Sequence, residues 1–204
     1  PPQQIGFARV WPNAGQVGLF IADADGGSER LLVGAGEIDY DPVWAPDGRS
    51  IVFASDRNGS ADLFRVKPDG SGLERLTDSP AYDDQAAFSP DGTQLVFVTT
   101  RNGGTADLWT MDLQTRRAKP LTTGTGMGGD FRPSWSPDGT LIAFSSDRGA
   151  TLPMGKGRRE HLQIRDVYVV HPDGPGHKRD PPPRPTHPAP PQFPSRTPRP
   201  NAPP

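Results

Sequence analysis

Short apolar runs recur along the chain, and each is bounded by turn-forming residues. Three runs rich in β-branched and aromatic residues cover positions 50–55, 94–98 and 141–145. A second set follows them, at positions 62–66, 107–111 and 166–170. Runs of this length and composition are typical of β-strands. The pattern therefore predicts pairs of short strands, and the Asn58-Gly59 and Asn102-Gly103 steps between them predict tight hairpins.

An aromatic residue and a Pro-Asp-Gly corner precede each pair of strands. The three copies of this motif are Trp44, Pro46, Asp47, Gly48; Phe88, Pro90, Asp91, Gly92; and Trp135, Pro137, Asp138, Gly139. Their prolines stand 44 and 47 residues apart. Proline presets φ for the second position of a turn, and Asp and Gly suit the positions that follow it. We expect the motif to reverse the chain between the first two strands of a repeated unit.

Two of the units continue into a further turn and a short strand that ends in Leu-Thr, at Leu76-Thr77 and Leu121-Thr122. Four short strands in a period of 40–50 residues are the pattern of a β-propeller blade. The sequence thus predicts an all-β fold, a partial propeller of about 3.5–4 four-stranded antiparallel blades. Residues 5–10, 17–22 and about 29–33 fit the last three strands of an earlier blade that lacks its inner strand.

The composition changes near residue 176. Of the 26 prolines, 14 lie in the last 34 residues, and proline cannot donate in a strand ladder. We therefore expect propeller blades over 1–176 as an incomplete ring and a disordered, proline-rich tail over 177–204. Residues 149–163 interrupt the fourth unit and are expected to form a loop. A truncated or altered coding sequence would explain a repeat that breaks within a blade.

The repeated motifs resemble the WD40-like PD40 repeat of TolB-type propellers, a pattern also found in the propeller domains of dipeptidyl-peptidase and tricorn-type proteins. The resemblance extends over about residues 5–176. It implies a six-bladed parent fold, a protein-binding or scaffold function without catalysis, and a periplasmic or secreted location. The alternative function that it implies, after this leading one, is the substrate-gating propeller of a prolyl-oligopeptidase-type serine peptidase without its catalytic domain.

Composition and charge exclude several classes of function. The net charge is −2 and the pI is about 6.1, so no overall basic field favours nucleic acid or an anionic membrane. The chain has no cysteine, which excludes disulfides, thiolate metal sites and a cysteine nucleophile. No apolar run approaches the roughly 18 residues of a membrane span. We expect no nucleic-acid partner, no membrane span, no metal and no cofactor.

Charged residues cluster where each unit enters its innermost strand. The candidate binding residues are Asp39, Asp41, Asp83, Asp84, Asp130 and Arg132. By the resemblance, they could ring the mouth of a central channel, where carboxylates can hold a cation or the amino group of a peptide. The alternative is structural, because aspartate caps turns and begins strands well.

Other charged pairs have a stronger structural interpretation. Asp56-Arg57 and Asp147-Arg148 follow the second strands and are expected to make local hydrogen bonds and ion pairs, although they could bind a ligand. The aspartates at 62, 107 and 166 recur in register, which favours a repeated structural contact over a single active site.

Few motifs point to catalysis. Residues 124–129 match G-x-G-x-x-G, but a proline-containing strand follows where a dinucleotide site needs a helix. The four histidines lack metal-ligand spacing, and no G-x-S-x-G elbow is present. Asn58-Gly59-Ser60 is a glycosylation sequon that a hairpin also explains. The proline-rich tail suits an SH3- or WW-type partner or simple solvation.

Three functions remain open from the sequence. The first is a non-enzymatic module that binds a protein or peptide, and the second is the peptidase propeller named above. The third is a sugar- or metal-binding lyase propeller, for which histidine is sparse. Unpaired blade edges would also allow self-association.

Overall fold

All regular elements that the structure describes are β-strands. A computed structural model describes residues 3–11, 16–34, 38–123, 128–147 and 166–174. Its strands are β1 (Gln4–Trp11), β2 (Gln16–Asp23), β3 (Arg30–Val33), β4 (Asp39–Trp44), β5 (Ile51–Ser55), β6 (Asp62–Val66), β7 (Glu74–Arg75), β8 (Asp83–Phe88), β9 (Gln94–Asn102), β10 (Thr105–Asp112), β11 (Ala118–Pro120), β12 (Asp130–Trp135), β13 (Ile142–Ser146) and β14 (Asp166–Val170). The predicted all-β class is confirmed.

The strands form four antiparallel sheets in chain order. The first sheet is β1-β2-β3, the second β4-β5-β6-β7, the third β8-β9-β10-β11 and the fourth β12-β13-β14. Each sheet is a meander, because every strand pairs with its sequence neighbour. The first sheet has the three strands that the sequence predicted for it.

The first strands of the second, third and fourth sheets lie side by side. Strand β4 contacts β8, and β8 contacts β12, so these inner strands form one continuous surface. Each carries a β-bulge, at Tyr40/Val43, Asp84/Ala87 and Phe131/Ser134. A bulge turns the local backbone and re-aims the side chain that it carries. The bulge therefore lies at the same place in all three inner strands, between the second and the fifth residue of each.

The Pro-Asp-Gly corners join the inner strands to the second strands, as predicted. In the third sheet, the Asp91 carboxylate accepts hydrogen bonds from Thr93 N at 3.0 Å and from Ser89 Oγ at 2.6 Å. Gly92 follows with φ 73° and donates its N–H to Ser89 O at 2.9 Å. These bonds to the ionised carboxylate lower the pKa of Asp91, and equivalent bonds lower the pKa of Asp138 to about 2.

The core lies between neighbouring sheets and not within any one of them. Three clusters of buried residues fill the three spaces between consecutive sheets. Phe53 and Phe97 are completely buried in the first two of these clusters. A single sheet of this size cannot cover its own faces, so stacking supplies the burial.

The outer strands are shorter than the sequence suggests. Strand β7 ends before Leu76-Thr77, and β11 ends before Leu121-Thr122. In both places one backbone bond to the neighbouring strand is kept, from Leu76 N to Leu63 O at 2.7 Å and from Leu121 N to Leu108 O at 2.8 Å. The threonine side chain supplies the acceptor for the reciprocal bond. Thr77 Oγ1 accepts from Leu63 N at 2.9 Å, and Thr122 Oγ1 accepts from Leu108 N at 3.0 Å. The recurrent Leu-Thr pair is therefore an edge anchor at the end of the sheet.

Some predicted features lie outside the described residues. They include the loop at 149–163, the tail at 177–204, Arg148, Gly124 to Met127, and three of the four histidines. Within the described ranges, no helix is long and apolar enough to cross a membrane.

Candidate functional site

The inner strands begin with three buried aspartates. Asp39, Asp83 and Asp130 are at most 2% exposed. Arg57 Nη2 lies 2.7 Å from Asp39 Oδ1, and Arg101 Nη2 lies 2.5 Å from Asp83 Oδ2. Each arginine stands 18 residues after its aspartate. These side chains hold the start of the inner strand to the end of the second strand.

The same arginines cover aromatic rings between the sheets. The Arg57 guanidinium lies 5.7 Å from the Phe53 ring centre and 4.9 Å from that of Phe64. Arg101 lies in the same way over Phe97 and Trp109. A guanidinium stacked on rings is held in place, and it is also attracted to the ring faces. The ion pair and the ring stacking together fix each pair of aspartate and arginine side chains, so the role of Asp39 with Arg57 and of Asp83 with Arg101 is structural.

A second repeated bond anchors the residue before each inner strand. Asp56 Oδ1 accepts from Ile38 N at 2.8 Å, and Asp147 Oδ1 accepts from Gly129 N at 2.6 Å. In the third sheet, Thr100 Oγ1 accepts from Tyr82 N at 3.0 Å. The predicted hydrogen bonds of the Asp-Arg pairs are thus present, and they reach the entry of the inner strand.

The recurrent aspartates at 62, 107 and 166 make structural contacts at the two positions where they are buried, 62 and 107. Asp62 Oδ2 pairs with Arg75 at 2.5 Å, and its Oδ1 accepts from Thr77 Oγ1 at 3.2 Å. Asp107 Oδ2 accepts from Asn102 Nδ2 at 3.2 Å. Asp166, in the same register, is exposed.

The third residue of each inner strand has a different character. Asp41, Gln85 and Arg132 occupy this place, with φ of 50°, 49° and 52°. A left-handed conformation costs a residue with a side chain roughly 1–2 kcal/mol. The bulge imposes it on all three strands. Gln85 Oε1 accepts from Arg132 N at 2.8 Å, so the third positions of two neighbouring strands are in direct contact.

Charges of both signs meet around these positions. Burial, and then the charge of Asp41, raise the pKa of Asp84 to about 6. Burial also raises the pKa of Asp41, and the Arg132 guanidinium opposes that rise. Burial and the nearby Asp84 and Asp41 carboxylates raise the pKa of Tyr40. The third positions and their neighbours therefore form one electrostatically coupled surface.

The structure divides the six predicted binding residues into two groups. Asp41, Asp84 and Arg132 come together on the surface of the inner strands, where Gln85, Tyr40 and Tyr82 join them. Asp39, Asp83 and Asp130 lie beneath that surface. Sequence reasoning missed Gln85, although the repeat places it in register with Asp41 and Arg132. No cluster of three or more His, Cys, Asp or Glu side chains suited to a metal occurs in the described part of the chain.

Comparison with known proteins supports the family resemblance. Residues 83–154 match the PD40 model, described as the TolB beta propeller domain. The Tol-Pal system protein TolB of Bordetella pertussis is 42% identical over 48 residues, 23% of this chain and 11% of that protein. The alignment thus spans about a tenth of the length of that relative. The resemblance predicted from the repeated motifs is confirmed.

Solved structures support the fold over most of the chain. TolB from Acinetobacter baumannii has a TM-score of 0.67 at 24% identity, covering 83% of this chain and 39% of that one. A puromycin-hydrolyzing peptidase from Mycobacterium tuberculosis has a TM-score of 0.62 at 18% identity, covering 84% and 26%. At these identities the likeness concerns the fold alone. The four sheets are therefore arranged as in TolB-type propellers.

Proposed function

We propose that this chain is a non-catalytic binding module that holds a protein or peptide segment on the surface of its inner strands. We call this surface the inner-strand site and define it by Tyr40, Asp41, Tyr82, Asp84, Gln85 and Arg132. The TolB-type fold and the Tol-Pal relative support a protein as the partner. The resemblance to TolB also favours a location outside the cytoplasm.

The observation that carries the proposal is a contrast between two repeat positions. The first residue of each inner strand is always aspartate and always buried, as a structural role requires. The third residue shares one backbone conformation across the strands, but its side chain is acidic, neutral or basic. Architecture explains the constant position. A surface that recognises a specific ligand explains a strained position whose chemistry varies from strand to strand.

The charges define what the inner-strand site would bind. Asp41 and the partly buried Asp84 suit a basic side chain or an N-terminal amine. Arg132 and the exposed ring of Tyr82 suit a carboxylate or carbonyl and an apolar group beside it. We infer that the bound segment carries a cationic group near its centre.

Site-specific photo-crosslinking tests this function. A photoreactive phenylalanine is placed at Tyr82, the site residue that is 62% exposed, and separately at Leu73, which is 45% exposed before β7. Both proteins are illuminated in an extract of the source cells. We expect one protein to be captured from position 82 and not from position 73.

A charge variant provides the specificity control. Asp41→Asn with Asp84→Asn should abolish capture from position 82, because the site loses its carboxylates. Asp173→Asn, at an exposed turn after β14, should leave capture unchanged. Equal crosslinking from both positions, or capture that persists in the double variant, contradicts the proposal.

One observation favours a second function, the substrate-gating propeller of a serine peptidase. The fold is shared with the puromycin-hydrolyzing peptidase, which is also longer than this chain. The reading frame in the genome decides between the two functions. A G-x-S-x-G motif in a continuous hydrolase domain would favour the peptidase, and its absence would favour the binding module.

A further inference from the structure

The hairpin between β9 and β10 places an amide beside a buried carboxylate. Asn102, the last residue of β9, is exposed, and its Nδ2 donates to Asp107 Oδ2 at 3.2 Å. Asp107 is only 1% exposed. A carboxylate in such surroundings is tolerated only where hydrogen-bond donors or a cation compensate its charge. The Asn102 amide is one of the donors that do so.

The second sheet uses an arginine for the same purpose. Asp62 has the register of Asp107, and Arg75 binds it at 2.5 Å. The ladders of the outer strands place Pro120 at the position that matches Arg75. Proline has neither a charge nor a donor. The third sheet therefore uses a neutral amide where the second sheet also has a cation.

Asn102 belongs to one of two Asn-Gly steps in the chain. Gly103 follows it, and Gly59 follows Asn58 in the β5–β6 hairpin. Both glycines have open space, because a Cβ added to either would meet no atom within 4 Å. Asparagine is a thermally labile residue, and a following glycine hinders attack on its side chain least. Both steps are therefore open to spontaneous deamidation.

Deamidation of an Asn-Gly step consumes only water. At Asn102, the nitrogen of Gly103 bonds to Cγ of the asparagine, the bond from Cγ to Nδ2 breaks, and ammonia leaves with the proton of the Gly103 N–H. Water then opens the resulting five-membered imide at one of its two carbonyls. The product is aspartate or isoaspartate, and each has a carboxylate in place of the amide donor.

We propose that Asn102 is a deamidation site at which the modification opens the β9–β10 hairpin, whereas deamidation of Asn58 leaves the fold unchanged. The product at position 102 loses the donor to Asp107 and repels that carboxylate. Arg101 does not compensate, because it pairs with Asp83 at 2.5 Å. Asn58 is exposed in a turn, where water and salt screen a new charge.

The opened hairpin would also release the residue before β8. Gly104 N donates to Thr100 O at 3.0 Å within the hairpin. Thr100 Oγ1 accepts from Tyr82 N, and Thr100 N donates to Tyr82 O, both at 3.0 Å. We therefore expect Tyr82 to lose backbone protection when the hairpin opens. The inference does not depend on ligand binding at the inner-strand site.

Mass spectrometry of the aged protein tests the chemistry. The full chain is kept for weeks in mildly alkaline buffer at body temperature and is then digested with pepsin in acid, where ring closure is slow. We expect the peptides that contain Asn102 and Asn58 to gain the mass difference between an amide and an acid. No gain at Asn102, under conditions that convert a synthetic peptide of residues 98–107, overturns the proposal.

Urea unfolding of three variants tests the structural consequence. Asn102→Asp reproduces the charge of the product, Asn102→Ala removes the amide without adding a charge, and Asn58→Asp is the matched control. We expect the lowest urea midpoint for Asn102→Asp, an intermediate one for Asn102→Ala and the wild-type value for Asn58→Asp. A midpoint for Asn102→Asp that equals or exceeds that of Asn102→Ala overturns the proposal, as does an equal loss in Asn58→Asp.

Amide hydrogen exchange locates the opening. Exchange should be faster between Thr100 and Asp107 and at Tyr82 in Asn102→Asp, and unchanged there in Asn58→Asp. If Asn102→Asp does not fold, the fraction of aged wild type that is deamidated at this position is separated by ion exchange and compared with the unmodified fraction. Hydrogen exchange in the hairpin that stays at the unmodified rate overturns the proposal.

Discussion

Gly92 lies against the ring of Pro46, one repeat earlier, and a Cβ added to this glycine would stand 3.7 Å from Pro46 Cδ. Gly139 meets Pro90 in the same way at 3.6 Å. The corners of neighbouring sheets are therefore stacked on one another. The Pro-Asp-Gly motif thus links successive sheets in addition to turning the chain.

We expect Gly92→Ala to destabilise the fold by about 1 kcal/mol, because alanine must adopt the left-handed φ of 73°. The distance to Pro46 is an ordinary contact and should add little. Gly48→Ala is the matched control, since it has φ 68° and no atom within 4 Å of the added Cβ. Urea unfolding should give similar losses for both. A much larger loss for Gly92→Ala would show that the corners are packed more tightly than described.

The fold was predictable because its signals are local. Apolar runs such as 51–55 and the corner at Pro46 each determine their own backbone, and the constant spacing determines how the pieces stack. The outer strands were less predictable. Thr77 Oγ1 accepts from Leu63 N, 14 residues earlier, and no propensity rule signals that a side-chain oxygen will stand in for a backbone carbonyl there.

The candidate site was predictable only in part. Charged residues at the entry of the inner strands predict the region where the structure brings Asp41, Asp84 and Arg132 together, but buried and surface positions alternate there. The bulges decide which side chain reaches the surface, and bulges leave no clear mark in the residues that form them. Gln85 was missed for this reason, since a neutral side chain carries no signal until Arg132 is placed beside it.

The buried pair of Asp83 and Arg101 should be strongly coupled. Arg101→Met leaves the fully buried Asp83 without its partner, and we expect a loss of about 3 kcal/mol. Asp83→Ala should cost less, because 22% of the Arg101 side chain is exposed and can be hydrated. The double variant should recover part of the combined loss.

A double-mutant cycle measured by urea unfolding gives the coupling energy of this pair, expected at about 1–3 kcal/mol. The control cycle uses Arg65 and Glu74, an ion pair of 2.7 Å whose side chains are 34% and 43% exposed. We expect under about 1 kcal/mol there. Equal coupling energies in the two cycles would contradict the structural role of the Asp83–Arg101 ion pair.

Thr122→Val should expose the function of the Leu-Thr edge anchor. Valine has nearly the same shape but cannot accept the hydrogen bond from Leu108 N, which would be left buried and unpaired. We expect a loss of about 1–3 kcal/mol in the free energy of unfolding. Thr122→Ser keeps the acceptor and should lose clearly less. If the serine variant is the less stable of the two, packing of the methyl group, and not the hydrogen bond, holds the edge.

The raised pKa of Asp84 makes the stability of the fold depend on pH. The native pKa of about 6 exceeds the value of about 3.9 for an unfolded chain. Between these values the native state binds more protons, so the contribution of Asp84 is most favourable below about pH 4 and is lost as the pH rises to about 6.

Asp84→Asn removes the burial of a charge and should stabilise the protein at pH 7 by on the order of 2 kcal/mol. Urea unfolding from pH 4 to pH 8 should show the two proteins converging at the acidic end. A constant difference across this range, or a wild type that is more stable than the variant at pH 7, would mean that Asp84 is not held in the desolvated, acid-crowded surroundings described for the inner-strand site.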